Sequence, residues 1–129
     1  MELKEIINRH AVSVDVEIQD KEEAFDYISK MLLEDGSINS IETFKRDLYA
    51  REAEGQTGIG NGIAIPHGKS KAVEHTCISI IKLKQPMEWE TLDNNPVSVI
   101  ILFAVSIEDK NTYFLKLMAQ VARKYVFLS

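Results

Sequence analysis

Cysteine is nearly absent from this sequence. Cys77 stands alone in 129 residues, so no internal disulfide can staple the fold and no second thiol is available for a metal framework. Long hydrophobic runs are missing too, since no apolar stretch approaches the ~18 residues that a membrane-spanning helix requires. The start, "MELKEIINRH", has neither the apolar core nor the small-residue cleavage site of a secretory signal. The chain reads as cytoplasmic, without direct membrane insertion. Positive charge is also scarce: 15 Lys and Arg face 20 Asp and Glu, and the net charge of −5 opposes a nucleic-acid partner, because phosphate-backbone binding needs a basic footprint. No low-complexity segment and no internal repeat occurs, which leaves disorder out of play.

Familiar catalytic frameworks are missing as well. His10, His67 and His75 do not form an H-x-x-x-H pair, so a metal site fails on count. No G-x-x-x-x-G-K-[ST] loop and no serine elbow is present. "GQTGIGNG" lacks the preceding strand and following helix that a dinucleotide fingerprint needs. Nothing in these patterns calls for a cofactor.

What is there fits one compact domain over 1–129, long enough to bury a real core; 45% of the residues are hydrophobic and 27% charged. "AVSVDVEIQ" alternates, which predicts a half-buried strand with Val12, Val14, Val16 and Ile18 on the inner face. Asp20 followed by Glu23 resembles a capping pair, and Ala24, Tyr27, Ile28, Met31 and Leu32 then form a helical stripe that Gly36 can end. Asn39 with Glu42 repeats the start signal, and Ile41, Phe44 and Leu48 lead a second helix toward Arg51. Residues 55–62, "GQTGIGNG", carry four of the six glycines and predict a loop. "IAIPH" reads as a short strand stopped by Pro66, "TCISIIKLK" as an apolar strand, and "VSVIILFAV" as the buried centre of a sheet. Phe114, Met118, Val121 and Tyr125 predict a last helix from about Asn111, which the chain leaves without a cap. The sum is an α/β fold: a central mixed sheet of four to five strands flanked by helices on both faces.

Among the residues that can carry chemistry, His67 stands out. Pro66 fixes the backbone just before it and Gly68 adds no bulk after it, so the imidazole is both placed and approachable. A neutral ring nitrogen at neutral pH suits nucleophilic phosphoryl transfer. The plainer alternative, a histidine that merely finishes a strand, stays open on this pattern alone. Arg51 in "YARE" is either a surface helix charge or a guanidinium that forks onto phosphate oxygens. The glycine loop is either a plain turn or a source of backbone N–H groups for an anion. Cys77, in "CISIIKL", reads as a buried thiol, His75 as a strand-entrance residue and Trp89 as a packing residue.

"GQTGIGNGIAIPHGKS" resembles the signature of the type-2 enzyme IIA domains of the bacterial phosphoenolpyruvate-dependent sugar phosphotransferase system, the fructose and mannitol group. "KEEAFDYISKMLLEDGSI", "FKRDLYAREAEGQTGIG" and "MEWETLDNNPVSVIILFAV" are similar to that family's first helix, its second helix and loop, and its later turn and central strand. The resemblance implies that His67 is the phosphorylated nucleophile, through Nε2, and that Arg51 stabilises the phosphate together with a loop of Thr57, Gly58, Gly60, Asn61 and Gly62. It implies no metal and no cofactor. The implied donor is the small histidine-containing phosphocarrier protein, and the implied acceptor is an enzyme IIB domain, with a membrane IIC component as an associate. Where some members have a second histidine in the last helix this chain has Phe114, and Asn61 replaces a glutamate of mannitol-type members, which is closer to the fructose-type pattern. The family also continues for another helical turn or two, so the resemblance implies a chain cut in or after its last helix. The same resemblance admits a second role, a regulatory domain that signals by its phosphorylation state.

Overall fold

The computed structural model describes residues 7–109 and, beyond them, Lys116, Ala119, Gln120 and Arg123. In chain order the elements are β1 (Ile7–Val16), α1 (Lys21–Glu34), α2 (Ile41–Glu52), β2 (Gly58–Gly60), β3 (Ile63–Ala64), β4 (His67–Ser70), β5 (Cys77–Met87) and β6 (Val97–Ser106). The six strands form one mixed sheet in the order β1-β5-β6-β3-β2, with β4 also on β6. The count exceeds the expected four to five because "GIG" pairs as a strand of its own and because the chain resumes its ladder after Pro66. Pro66 contributes no N–H, but its carbonyl accepts the amide of Phe103 at 3.0 Å, and His67–Ser70 then run parallel to Phe103–Ser106.

Alternation along β6 gives both faces of the sheet an apolar lining. Ile100, Leu102 and Ala104 join Cys77, Ile81 and Leu83 in the main core, beneath Phe25, Ile28 and Leu32 of α1 and Phe44 and Leu48 of α2. Ile78, Ile101, Phe103 and Val105 point the other way and are buried as fully. Lys116, Ala119 and Gln120 are helical. The expected stripe of Phe114, Met118, Val121 and Tyr125 lies outside the described residues. Cys77 is 2% exposed, and burial pushes its thiol pKa up to about 11.

Helix starts obey local capping rules with one shift of position. Asp20 caps α1 by accepting the amide of Glu23 at 2.8 Å. Ser40, not Asn39, caps α2 by accepting the amide of Thr43 at 3.2 Å, while Asn39 donates its side-chain amide to Glu74 at 2.7 Å. In α1 the inward aromatic is Phe25 rather than Tyr27. Its ring meets those of Tyr49 and Trp89 edge-on at 5.1 and 5.9 Å, and Tyr27 stays at the surface.

The strict alternation read into β1 does not survive. Asp15 takes φ 54°, and the register with β5 shifts between Ser13 and Val16. This bulge inserts one residue, so Val16 stays buried while Val12 and Val14 are 42% and 65% exposed. Ser13 takes the helix-facing side instead, with its hydroxyl 3.3 Å from the sulfur of Met31.

Candidate functional site

Two elements meet at His67. It opens β4, and α2 lies across that strand so closely that a Cβ on Gly68 would sit 3.2 Å from Leu48 Cδ2 and 3.3 Å from Phe44 Cε1. Gly68 therefore serves helix–strand approach more than access to the imidazole. That approach brings the last turn of α2, and with it Arg51, to the ring. Arg51 Nε–H donates to His67 Nε2 at 2.9 Å, and its Nη1 donates to the Gly55 carbonyl at 3.0 Å. On the far side of the ring Nδ1 lies 3.3 Å from the Ile65 carbonyl.

These contacts select one tautomer. A guanidinium is always a donor, so Nε2 must offer its lone pair, and the proton sits on Nδ1, donated to Ile65. The ring is half-buried, less open than the sequence suggested. Burial lowers its pKa below the usual 6.5; the Ile65 carbonyl opposes that shift and the charge of Arg51 adds to it. The ring is thus neutral at neutral pH, with Nε2 unprotonated. In an NMR titration His67 is expected to ionise below 6.5, and higher in Arg51→Ala, which loses the cation. The unfolded chain takes up this proton near the ordinary value and the folded one only below it. The ring's contribution to stability is therefore complete above about pH 6.5 and is lost as the solution is acidified through the folded value.

The glycine loop divides into two ends. Gly58 and Gly60 pair with Ala64 and Ile63 in a tight hairpin whose Gly60, Asn61 and Gly62 all have positive φ. This tip leans on the 93–99 segment: the Asn61 amide donates to Asp93 Oδ2 at 3.1 Å, and the Gly62 carbonyl accepts the amides of Ser98 and Val99. The Gly58 amide is likewise engaged, by the Glu90 carbonyl at 3.3 Å. Thr57 is the loop residue hydrogen-bonded to the segment that leads into the histidine. Its carbonyl accepts the amide of Ile65 at 2.9 Å, and its hydroxyl donates to Glu52 Oε1.

Sequence reasoning missed Glu52 and Lys21. The Glu52 side chain is 7% exposed, and its Oε2 accepts from Lys21 Nζ at 2.9 Å; the same ammonium reaches Glu90 Oε2 at 2.6 Å and lies 4.7 Å from the Trp89 ring. Only the adjacency of Glu52 to Arg51 hinted at this, because nothing in spacing links positions 21, 52 and 90. Trp89 packs as expected, and His75, exposed, stands just before β5. Among the described residues no group of three or more His, Cys, Asp or Glu is placed to hold a metal ion, and no helix is long and apolar enough to cross a membrane.

Residues 5–126 match the family described as "Phosphoenolpyruvate-dependent sugar phosphotransferase system, EIIA 2". The chain is 30% identical over 113 residues to the fructose-specific EIIABC component of Bacillus subtilis, covering 88% of this chain but 18% of that protein. It is 31% identical over 125 residues to the nitrogen regulatory protein of Escherichia coli, covering 96% of this chain and 76% of that one. Among solved structures, nitrogen regulatory protein IIA-Ntr from Neisseria meningitidis superposes with a TM-score of 0.85 at 30% identity, over 94% of this chain and 82% of its own. The chain thus spans about a fifth of the length of the EIIABC relative and most of the length of the nitrogen regulatory ones. A half-buried imidazole held between an arginine and a backbone carbonyl thus sits in a fold and a sequence that are those of one group: this chain belongs to the EIIA type-2 family of the phosphoenolpyruvate-dependent sugar phosphotransferase system.

Proposed function

We propose that the protein is a phosphoryl carrier whose His67 Nε2 accepts a phosphoryl group from the histidine-containing phosphocarrier protein and passes it to an enzyme IIB domain. The observation that carries this reading is the Arg51 Nε to His67 Nε2 hydrogen bond, which supports Nε2 as the unprotonated ring nitrogen. That lone pair attacks phosphorus in line, the new P–N bond forms as the donor's P–N bond breaks, and the donor ring leaves with the bonding pair. Nδ1 keeps its proton throughout, and the Ile65 carbonyl faces the positive charge that then spreads over the ring. Arg51 must give up Nε2 at that moment and turn its fork to the equatorial oxygens, a short motion for a side chain already anchored at Gly55. In the onward step the acceptor's nucleophile forms its bond to phosphorus and the electron pair returns to Nε2. Of the loop residues, Thr57 is the one whose neighbours support a part in this chemistry.

Fructose-type transport and regulation are both open to such a carrier. The extent of the match to nitrogen regulatory proteins, against a fifth of the EIIABC chain, favours keeping the regulatory reading beside the transport one. The exposed Lys69 and Lys71 beside His67 suit the rim of a transient protein interface in either case.

The test is incubation with labelled phosphoenolpyruvate and the two general phosphotransferase proteins. One acid-labile phosphate per chain is expected, and none would reject the reading. In Arg51→Lys, uptake is expected to slow by about tenfold or more with the fold intact, since a point charge cannot match a fork on phosphate oxygens. Quenched-flow measurement of the labelled chain checks it.

A further inference from the structure

Beside the site runs a line of hydrogen bonds that links the end of α2 and the 90–92 segment to Thr57, Ile65 and His67. Lys21, the first residue of α1, is largely buried, with 22% of its side chain exposed. Burial alone would disfavour its charge; hydrogen bonds to Glu90 and Glu52 outweigh that and raise its pKa, so the ammonium is fully charged. One of these partners, Glu52, closes α2 directly after Arg51 and receives the Thr57 hydroxyl on its other oxygen. The second, Glu90, belongs to the segment whose backbone carbonyl accepts the Gly58 amide. Lys21 therefore ties together the two supports of the Thr57–Gly58 corner, the helix end below and the 90–92 segment beside it. From Thr57 the connection continues through its carbonyl to the Ile65 amide, and from the Ile65 carbonyl to His67 Nδ1.

A buried ion pair of this sort is weak evidence for stability, because desolvation offsets much of the Coulombic gain. An arrangement that engages both oxygens of Glu52 and one of Glu90 argues instead for placement. We propose that Lys21 and Glu52 are positioning residues for phosphoryl transfer: by cross-linking Glu52 and Glu90, Lys21 fixes Thr57 and, through Ile65, the orientation of the His67 ring relative to Arg51. The proposal rests on His67 as phosphoryl acceptor for its kinetic consequence only; the ring geometry it asserts does not depend on that role.

The test compares wild type with Lys21→Met, Glu52→Gln and Lys21→Arg by two readouts. In phosphoryl uptake from the phosphorylated carrier protein, Lys21→Met and Glu52→Gln are expected to lose about tenfold or more in rate at saturating donor, with little change in the donor concentration giving half-maximal rate, because misplacement of about an ångström is costly to chemistry and not to docking. Lys21→Arg, which keeps the cation and can reach both carboxylates, is expected to recover most of the rate. In nitrogen NMR of the free protein, His67 is expected to move from a single Nδ1–H tautomer to a mixture in Lys21→Met and to return in Lys21→Arg. Should Lys21→Met fail to fold, Glu90→Gln, which removes only the exposed partner, takes its place, with a smaller loss in the same direction. Variants that lower the melting temperature yet keep wild-type rate per folded molecule and the wild-type tautomer would overturn the proposal. A wild-type chain that takes up no phosphate at all would instead reject the carrier reading, and the tautomer measurement would still decide the positioning role.

Discussion

Glutamine at position 67 is expected to abolish phosphate uptake, to below about a thousandth of the wild-type rate, while the chain stays folded. The side chain is close to imidazole in reach and can still receive the Arg51 N–H through its carbonyl oxygen, so the packing of α2 on β4 has little reason to change. What it lacks is a nucleophilic nitrogen. An amide nitrogen delocalises its electron pair into the carbonyl and cannot form or release a P–N bond at useful rates, and removing the nucleophile itself gives the largest losses seen in catalytic dissections. The cost to stability is confined to one or two hydrogen bonds at a half-buried place, about 1 kcal/mol each. Labelled phosphate per mole of chain, measured beside a urea denaturation curve, separates the two effects. Uptake at even a tenth of the wild-type level would place the acceptor on another residue and remove the central step of the mechanism.

His67 stands out in the sequence as a candidate because its immediate surroundings are local. Pro66, His67 and Gly68 are consecutive, and the resemblance of the stretch around them is carried by neighbouring residues. The N-cap at Asp20, the burial of Cys77 and the central run "VSVIILFAV" were readable for the same reason: each is decided within a few residues by capping or by hydrophobic density. Failures arose where a local rule met a non-local one. Asn39 is as good a cap as Ser40, and only the approach of Glu74 from another part of the chain draws it away. Alternation in β1 is perfect on paper, yet a single αL residue at Asp15 reverses which side chains face the helix. The short strand does stop before Pro66, and what the missing donor hides is that the Pro66 carbonyl still accepts from Phe103, so that the chain resumes beside β6 as β4. The resemblance implies the whole loop for the phosphate, and what the sequence does not show is that the hairpin has two ends, of which the Thr57 end is hydrogen-bonded to Ile65, two residues before His67. Lys21, Glu52 and Glu90 are the extreme case, since charges far apart in the chain become one hydrogen-bonded connection, from the enclosed Glu52 carboxylate through Lys21 to the exposed Glu90, only after two helices and a sheet have closed together.

Alanine at Gly58 is expected to destabilise the protein by about 2–4 kcal/mol, and the reason is contact rather than backbone strain. A Cβ at this position would lie 2.3 Å from Thr91 Cγ2, 2.5 Å from the Glu90 carbonyl oxygen and 2.8 Å from Thr91 Cα. The methyl of Thr91 can rotate away; a carbonyl and a Cα cannot. Relief therefore requires β2 to separate from the 90–92 segment, which gives up the Gly58 amide to Glu90 carbonyl bond at 3.3 Å and the Leu92 amide to Gly58 carbonyl bond at 3.2 Å. Gly55 supplies the control on the same loop, because nothing lies within 4 Å of its would-be Cβ. Alanine there is expected to leave stability within about 0.5 kcal/mol of wild type or to raise it slightly, by restricting the unfolded chain. The Gly58 variant carries a second consequence: its displacement also moves Thr57, so uptake per folded molecule is expected to fall in step with stability, whereas the Gly55 variant keeps both. Equal denaturation midpoints for the two variants would mean that the 58–91 approach is not tight, and the 90–92 segment would then have no hold on the loop that leads to His67.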